Sequence, residues 1–139
     1  MSKQQQLNEV LNYAGAKYRD KALEDIMTAT STFLDLHASK DTFVFNDGVR
    51  RPVLYLGGTI PVNIKGQNYN IPVGFYLLDT HPYYPPICYV KPTANMSIKP
   101  TQHVDIQGRI YLPYLTEWAY PKSDLIGLIE ILRIVFQRC

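Results

Sequence analysis

A chain of 139 residues has the usual size of one compact domain and is long enough to bury a sizeable core. Hydrophobic residues make up 46% and charged residues 19%, which is typical of a globular protein and excludes a disordered one. The net charge of +2, without a cluster of Lys and Arg, argues against nucleic-acid binding. No apolar run is long enough to cross a bilayer, and the polar N-terminus lacks a signal-peptide core. We therefore expect one cytoplasmic domain over residues 1–139, without direct membrane insertion.

Two amphipathic helices are predicted at the start of the chain. Apolar residues at helical spacing extend from Leu7 to Tyr18 and predict the first helix. Asp20 is a candidate N-cap for the second. The apolar positions of the second helix are Ile26, Ala29, Phe33 and Leu36.

Short apolar runs between turn signals then predict an antiparallel meander. The strands are expected at 42–45, 52–56, 59–65, 69–73, 75–79 and 87–90. Asn46, Asp47 and Gly48 give a strong hairpin signal after the first strand, and Gly74 indicates a bend. The prolines within 82–86 lack the backbone N–H that a ladder needs, so the preceding strand must end before them.

Residues 91–121 follow no regular pattern, and a stretch of that length in a compact domain usually carries function. Ser123 after it is a candidate N-cap for a C-terminal helix. The apolar stripe of that helix comprises Leu125, Leu128, Ile129, Leu132 and Phe136. Together these elements predict an α+β fold with a four- or five-stranded sheet.

Two motifs in the second half of the chain carry the functional signal. Residues 81–90 read HPYYPPICYV, and residues 103–112 read HVDIQGRIYL. In order and spacing they resemble ubiquitin-conjugating enzymes, which have a Tyr-Pro-x-x-Pro-Pro run, then His-Pro-Asn, then Gly-x-Ile-Cys-Leu. The frame of that active-site segment is kept at His103, Gly108, Ile110 and Leu112.

The two chemical positions of the segment differ from the enzymes. Tyr111 stands where the family has its catalytic cysteine, and Asp105 stands where it has asparagine. Ubiquitin transfer uses the thiolate of a cysteine, whose thiol has a pKa of about 8.5. A tyrosine phenol has a pKa of about 10 and does not replace that thiolate. An ionised carboxylate accepts hydrogen bonds only, so Asp105 offers no donor to an oxyanion. The resemblance therefore implies a non-enzymatic domain whose vestigial site is Tyr111 and Asp105.

Cysteine and histidine usage gives no alternative chemistry. Cys88 lies in an apolar strand, where a thiol is usually an inert small hydrophobe, and Cys139 has no motif around it. His37, His81 and His103 show no metal-ligand spacing, so we expect neither a metal nor a cofactor.

Several segments narrow the resemblance to the inactive ubiquitin-conjugating enzyme variant (UEV) domains of the ESCRT-I tumour-susceptibility type. The segments are FVFNDG at 43–48, GTIPV at 58–62, YNIP at 69–72, PPICYVKPT at 85–93 and HVD…IYLPYL…W at 103–118. This resemblance implies two N-terminal helices, a meander sheet and one C-terminal helix, without the last two helices of active enzymes. The opening left by those helices is expected to form a peptide groove.

The resemblance also implies two binding surfaces. Ubiquitin is expected on an extended first hairpin and a nearby lip, at Val44, Asn46, Asp47, Tyr76 and Tyr89. Late-domain-type peptides with the sequence Pro-(Thr/Ser)-Ala-Pro are expected at Thr59, Val62, Ile64, Tyr69, Asn70, Pro72, Thr93 and Met96. Tyr76, Tyr89 and Ile64 depart from the family, which has tryptophan, phenylalanine and a second groove tyrosine there.

The leading functional hypothesis is an adaptor for endosomal cargo sorting, cytoplasmic and recruited to endosomes, with other ESCRT subunits bound through regions absent from this chain. An alternative is an accessory variant that pairs with an active conjugating enzyme to direct chain linkage. A third is the same domain fused to a dehydrogenase-like region. Turn chemistry alone also explains Asn46 and Asp47. Ordinary core packing is an alternative for Tyr69, Pro72, Val62 and Met96.

Overall fold

The computed structural model describes residues 2–92 and 100–138, and within them a four-stranded antiparallel sheet carries helices on one face. The helices are α1 Lys3–Tyr13, α2 Arg19–Thr32, α3 Pro113–Thr116 and α4 Leu125–Gln137. The strands, adjacent in chain order, are β1 Leu36–Val44, β2 Arg50–Ile64, β3 Gln67–Leu77 and β4 Ile87–Val90. The predicted α+β meander is confirmed. No helix in the described ranges combines the length and apolarity needed to cross a membrane.

The ends of the N-terminal helices differ from the prediction. α1 begins with a capping box, in which the Ser2 hydroxyl accepts the Gln5 N–H at 3.2 Å and the Gln5 side chain accepts the Ser2 N–H at 2.9 Å. It ends at Tyr13 because Gly15 adopts a left-handed φ of 67°, which breaks the helical path. The prediction that it reaches Tyr18 is therefore wrong. Tyr18 is the N-cap position of α2, and Asp20 lies in the first turn of α2.

The boundary between α2 and β1 also lies earlier than predicted. α2 ends at Thr32, and Phe33 already has an extended backbone at the C-cap. Leu36 belongs to β1 and pairs with Gly58, although its side chain is buried as the helical pattern required. A buried leucine at a helix–strand boundary fits either period, so periodicity alone placed it in the wrong element.

Glycines in the sheet serve close packing and do not break it. β2 runs without interruption through Gly57, and β3 runs through Gly74, where a strand break and a bend were predicted. The two glycines are cross-strand partners, and the ring of Tyr55 lies against both of them. A Cβ at either position would collide with that ring, so glycine is required for the ring to lie flat on the sheet.

The core lies between the sheet and the helices. Strand alternation directs Leu54 and Leu56, with their partners Leu77 and Phe75, towards the helices. All five residues of the predicted α4 stripe are buried against this face: Leu125, Leu128, Ile129, Leu132 and Phe136.

The cap of α4 is one residue later than predicted. The Asp124 carboxylate accepts the Gly127 N–H at 2.8 Å and is the N-cap. The Ser123 hydroxyl instead accepts the Ala119 N–H at 3.0 Å and closes the preceding turn. Both residues are good cap formers, and only the backbone path decides between them.

A buried carboxylate–imidazole pair ties three elements together near the N-terminus of α4. One carboxylate oxygen of Asp25 in α2 lies 2.8 Å from Nε2 of His81, in the turn before β4. The other oxygen accepts the Leu125 N–H at 3.3 Å. Both side chains are almost fully buried, and His81 Nδ1 has no partner among the described atoms. The pair fixes α2, this turn and α4 relative to one another.

Candidate functional site: the vestigial segment and two surfaces

Asp105 organises the segment that resembles an active site. Its Oδ1 accepts the backbone N–H groups of Gln107 and Arg109, both at 2.9 Å, and its own N–H donates to the Arg109 carbonyl at 3.0 Å. Its Oδ2 accepts the Tyr111 hydroxyl at 3.2 Å. The carboxylate therefore holds the turn together and also holds the phenol that stands in place of the thiol.

The electrostatics of this pair work against nucleophilic chemistry. Desolvation alone raises the pKa of Asp105, but the N–H groups of Arg109 and Gln107, the Tyr111 hydroxyl and the Arg109 charge outweigh it and lower that pKa. Desolvation, followed by the hydrogen bond and charge of Asp105, raises the pKa of Tyr111. Tyr111 therefore stays a neutral phenol at physiological pH, although its side chain is half exposed.

Backbone hydrogen bonds attach this segment to β4. Ile110 donates to the Cys88 carbonyl at 2.9 Å, and Val90 donates to the Gly108 carbonyl at 2.8 Å, so the segment runs beside β4. His103 accepts the Tyr111 N–H through its carbonyl at 2.8 Å, and its Nδ1 lies 3.1 Å from the Tyr111 carbonyl. These contacts hold His103 against Tyr111 and order the loop between them.

The remaining candidates for chemistry are structural. The Cys88 side chain is 1% exposed, and burial strongly raises the pKa of its thiol, so no thiolate is available. A cleft of about 670 Å³ lies beside the segment and is bordered by Tyr84, Arg109, Tyr111 and Trp118. Within residues 2–92 and 100–138, no three His, Cys, Asp or Glu side chains group closely enough to hold a metal ion.

The first hairpin presents polar groups at its tip. Asp47 Oδ1 accepts the Val49 N–H at 3.0 Å, so turn chemistry accounts for this aspartate, while Asn46 is exposed. Val44 closes the β1–β2 ladder opposite Arg50, with 51% of its surface exposed. An exposed valine close to the polar tip of the hairpin is compatible with the predicted ubiquitin contact.

Aromatic rings connect this hairpin to the predicted lip across the outer face of the sheet. The rings of Tyr76 and Tyr89 meet edge to face, with centroids 5.8 Å apart. Tyr76 also contacts Tyr55 at 4.9 Å and Phe43 at 5.1 Å, and Phe43 contacts Phe45 next to the turn. Sequence reasoning missed Phe43 and Tyr55. The alternation of Phe43 and Phe45 was the available signal, but the contact with Tyr76 requires the register of three strands. We call Tyr55, Tyr76 and Tyr89 the tyrosine face.

The structure divides the predicted peptide residues between two sides of the β2–β3 hairpin. Cross-strand pairing and alternation place Val62, Ile64 and Tyr69 on the helix side. Thr59, Asn70 and Pro72 lie on the opposite side. Val62 is buried, whereas Tyr69 is 45% exposed and donates from its hydroxyl to the Gln67 side chain at 2.7 Å. The predicted residues Thr93 and Met96 lie outside the described part of the chain.

The outer edge of β3 runs between these two groups. β3 pairs with β4 only over Val73–Tyr76, and beyond them the Lys91 N–H donates to the Pro72 carbonyl at 2.9 Å. Within the described ranges, 67–71 have no strand partner on that side. An extended peptide along this edge would touch side chains from both sides of the hairpin.

A family model for the UEV domain matches residues 6–139, nearly the whole chain. The chain belongs to the UEV domain family. Its sequence is 52% identical to the human Tumor susceptibility gene 101 protein over 120 residues, which are 86% of this chain and 31% of that protein. The UEV domain described here thus spans about a third of that relative's length.

Two solved structures have the same fold as this UEV domain. The yeast vps23 UEV domain in complex with a vps27 PSDP peptide superposes with a TM-score of 0.78, covering 93% of this chain and 88% of that chain at 21% identity. The Vps23 UEV in complex with ubiquitin gives a TM-score of 0.74, covering 96% and 94% at 21% identity. At this identity the likeness establishes the fold, and it confirms the ubiquitin-conjugating-enzyme-like architecture expected from the sequence.

Proposed function

We propose that this UEV domain is a non-catalytic adaptor that binds ubiquitin and Pro-(Thr/Ser)-Ala-Pro peptides in endosomal cargo sorting. The observation that carries the proposal is the Tyr111–Asp105 pair. The backbone frame of a conjugating enzyme is present, but a neutral phenol bound to a carboxylate occupies the place of the nucleophile. A domain that keeps this frame without its chemistry is suited to recognition.

The hairpin and the tyrosine face support the ubiquitin part of the proposal. Val44 and Asp47 supply an exposed apolar side chain and a carboxylate at the tip, which suit the apolar patch and basic rim of ubiquitin. Tyr76 and Tyr89, two members of the tyrosine face, supply ordered rings beside the hairpin. The Vps23 UEV, which has the same fold, was solved with ubiquitin. A small transient contact of this kind has a Kd of roughly 10⁻⁴ to 10⁻³ M.

The edge of β3 supports the peptide part. Proline-containing ligands are already extended, so they lose little conformational freedom when they dock against rings and a strand edge. Tyr69 provides the exposed ring, and Thr59, Asn70 and Pro72 lie on the other side of the same hairpin. The yeast relative was solved with a PSDP peptide. A four-residue anchor buries little area, so we expect a Kd of roughly 10⁻⁵ to 10⁻³ M. Ile64 lacks the ring and hydroxyl of the tyrosine that the family has at this position. We therefore expect a Kd towards the weaker end of this range, at about 10⁻³ M.

The family resemblance supports a cellular role for the domain. We propose that the domain works in the cytoplasm as part of an ESCRT-I type assembly, is recruited to endosomes by its ligands, and meets other ESCRT subunits through regions beyond this chain. The identity to the tumour-susceptibility relative over 86% of the chain supports this assignment.

Equilibrium binding to immobilised protein tests both parts of the proposal. Ubiquitin and a Pro-Thr-Ala-Pro peptide should each bind in the ranges above, and a peptide with the Ala-Pro order reversed should not. Failure of both ligands to bind at millimolar concentration would reject the adaptor function. Co-purification with an active conjugating enzyme, together with faster chain assembly, would favour the accessory alternative.

A further inference from the structure

Lys91, the residue after β4, places its ammonium group among the rings of the tyrosine face. Its Nζ lies 2.9 Å from the Tyr76 hydroxyl oxygen. The same nitrogen is 4.9 Å from the Tyr89 ring centroid, 5.0 Å from that of Tyr76 and 5.8 Å from that of Tyr55. All three distances are within the range of a cation–π interaction. One cation therefore contacts every member of the tyrosine face.

The groups that contact the Lys91 ammonium are three aromatic rings and a phenol oxygen. None of the salt bridges within the described ranges involves this lysine, so the ring faces and the phenol oxygen are its counter-groups. Its backbone is also fixed, because the Lys91 N–H donates to the Pro72 carbonyl at 2.9 Å. A half-buried side chain anchored at its base and contacted by three rings is an ordered part of the surface.

We propose that Lys91 is a positioning residue of the ubiquitin surface, which holds Tyr76 and Tyr89 in their edge-to-face arrangement. This inference rests on the proposed ubiquitin binding and deepens it. An aromatic contact surface gains affinity when its rings are ordered before the partner arrives, because less side-chain freedom is lost on binding. The ammonium restrains both rings at once, and its hydrogen bond to the Tyr76 hydroxyl fixes the direction of that ring.

A simple charge argument predicts the opposite effect. Ubiquitin has a basic rim around its apolar patch, so an additional lysine beside the contact should repel it, and removal of the charge should tighten binding. If Lys91 positions the rings, removal of the charge should weaken binding. The sign of the change therefore separates the two accounts.

The test compares Lys91→Met with Lys91→Arg and Tyr76→Phe. Methionine keeps an unbranched apolar chain without the cation, whereas arginine keeps the cation–π contacts. We expect Lys91→Met to weaken ubiquitin binding about three- to tenfold and Lys91→Arg to stay within about twofold of the parent. Tyr76→Phe keeps the ring but removes the 2.9 Å hydrogen bond, so it should give a smaller loss than Lys91→Met.

A second readout reports the arrangement without ubiquitin. In the free parent, ring currents should move the Lys91 ε-methylene protons upfield, and Lys91→Met should change the Tyr76 and Tyr89 ring signals while the thermal melt stays cooperative. Parent-like or tighter ubiquitin binding by Lys91→Met would overturn the inference, as would unshifted Lys91 protons. If the parent itself fails to bind ubiquitin, the proposed function falls, and this inference falls with it.

Discussion

Replacement of Asp25 by alanine should destabilise this domain far more than any exposed carboxylate replacement. The Asp25 carboxylate contacts His81 Nε2 at 2.8 Å and accepts the Leu125 N–H at 3.3 Å, and both side chains of the pair are almost fully buried. Alanine would leave these two groups buried and unpaired. His81 Nδ1 already has no hydrogen-bond partner among the described atoms. Without Asp25, therefore, neither ring nitrogen of His81 would have a partner among them.

The magnitude follows from the two contacts. Each buried polar group left without a partner costs about 1–3 kcal/mol, so Asp25→Ala should lower the free energy of unfolding by about 2–6 kcal/mol. That is a large share of the 5–15 kcal/mol that is typical of a domain of about this size. Asp25→Asn keeps one acceptor oxygen and should cost about half as much.

Urea denaturation followed by circular dichroism measures this free energy directly. Asp20→Ala is the matched control, because Asp20 is exposed in the first turn of the same helix and contributes only about 0.3–1 kcal/mol through the helix dipole. If Asp25→Ala lost no more stability than Asp20→Ala, the assigned role of the buried pair would be wrong.

Three further predictions concern the lost chemistry and the two proposed surfaces. With activating enzyme, ATP and ubiquitin, the chain should give no thiol-sensitive adduct on a gel, because Tyr111 has no thiol and the Cys88 thiol is buried; an adduct that passes to lysine would refute this. Val44→Ala should weaken ubiquitin binding by about 0.5–2 kcal/mol with an unchanged unfolding curve, because this side chain is half exposed; equal affinity in a titration would refute the hairpin contact. Tyr69→Ala should weaken peptide binding by about 1–3 kcal/mol and leave ubiquitin binding intact. Fluorescence titration with the peptide measures this loss, and Tyr84→Ala, at another exposed tyrosine, is the control. Equal losses of peptide affinity in both variants would refute the proposed groove.

Sequence patterns predicted best where one physical requirement decided the outcome. The α4 stripe is buried as predicted, because five apolar residues at helical spacing have no other stable placement. The hairpin at Asn46 and Asp47 formed because its turn chemistry is local. The family motifs likewise predicted the fold, and the comparison structures confirm that prediction.

Prediction failed where two local solutions had similar energies or where the contact was between distant strands. Both Ser123 and Asp124 can cap a helix, and only the backbone path selects Asp124. Gly74 was interpreted as a bend because glycine often marks one, whereas its role is to admit the ring of Tyr55 from the neighbouring strand. The contact of Lys91 with the tyrosine face likewise depends on pairing across β2, β3 and β4, which spacing along the chain does not reveal.

The central claim is that two separate surfaces of this domain bind ubiquitin and a proline-containing peptide. Separate titrations of ubiquitin and a Pro-Thr-Ala-Pro peptide, followed by backbone amide shifts, test it most directly. Ubiquitin should shift the amides of Val44, Asp47 and Tyr76, whereas the peptide should shift those of Tyr69 and Asn70. The claim would be contradicted if both ligands shifted the same amides, or if neither perturbed its assigned set at millimolar concentration.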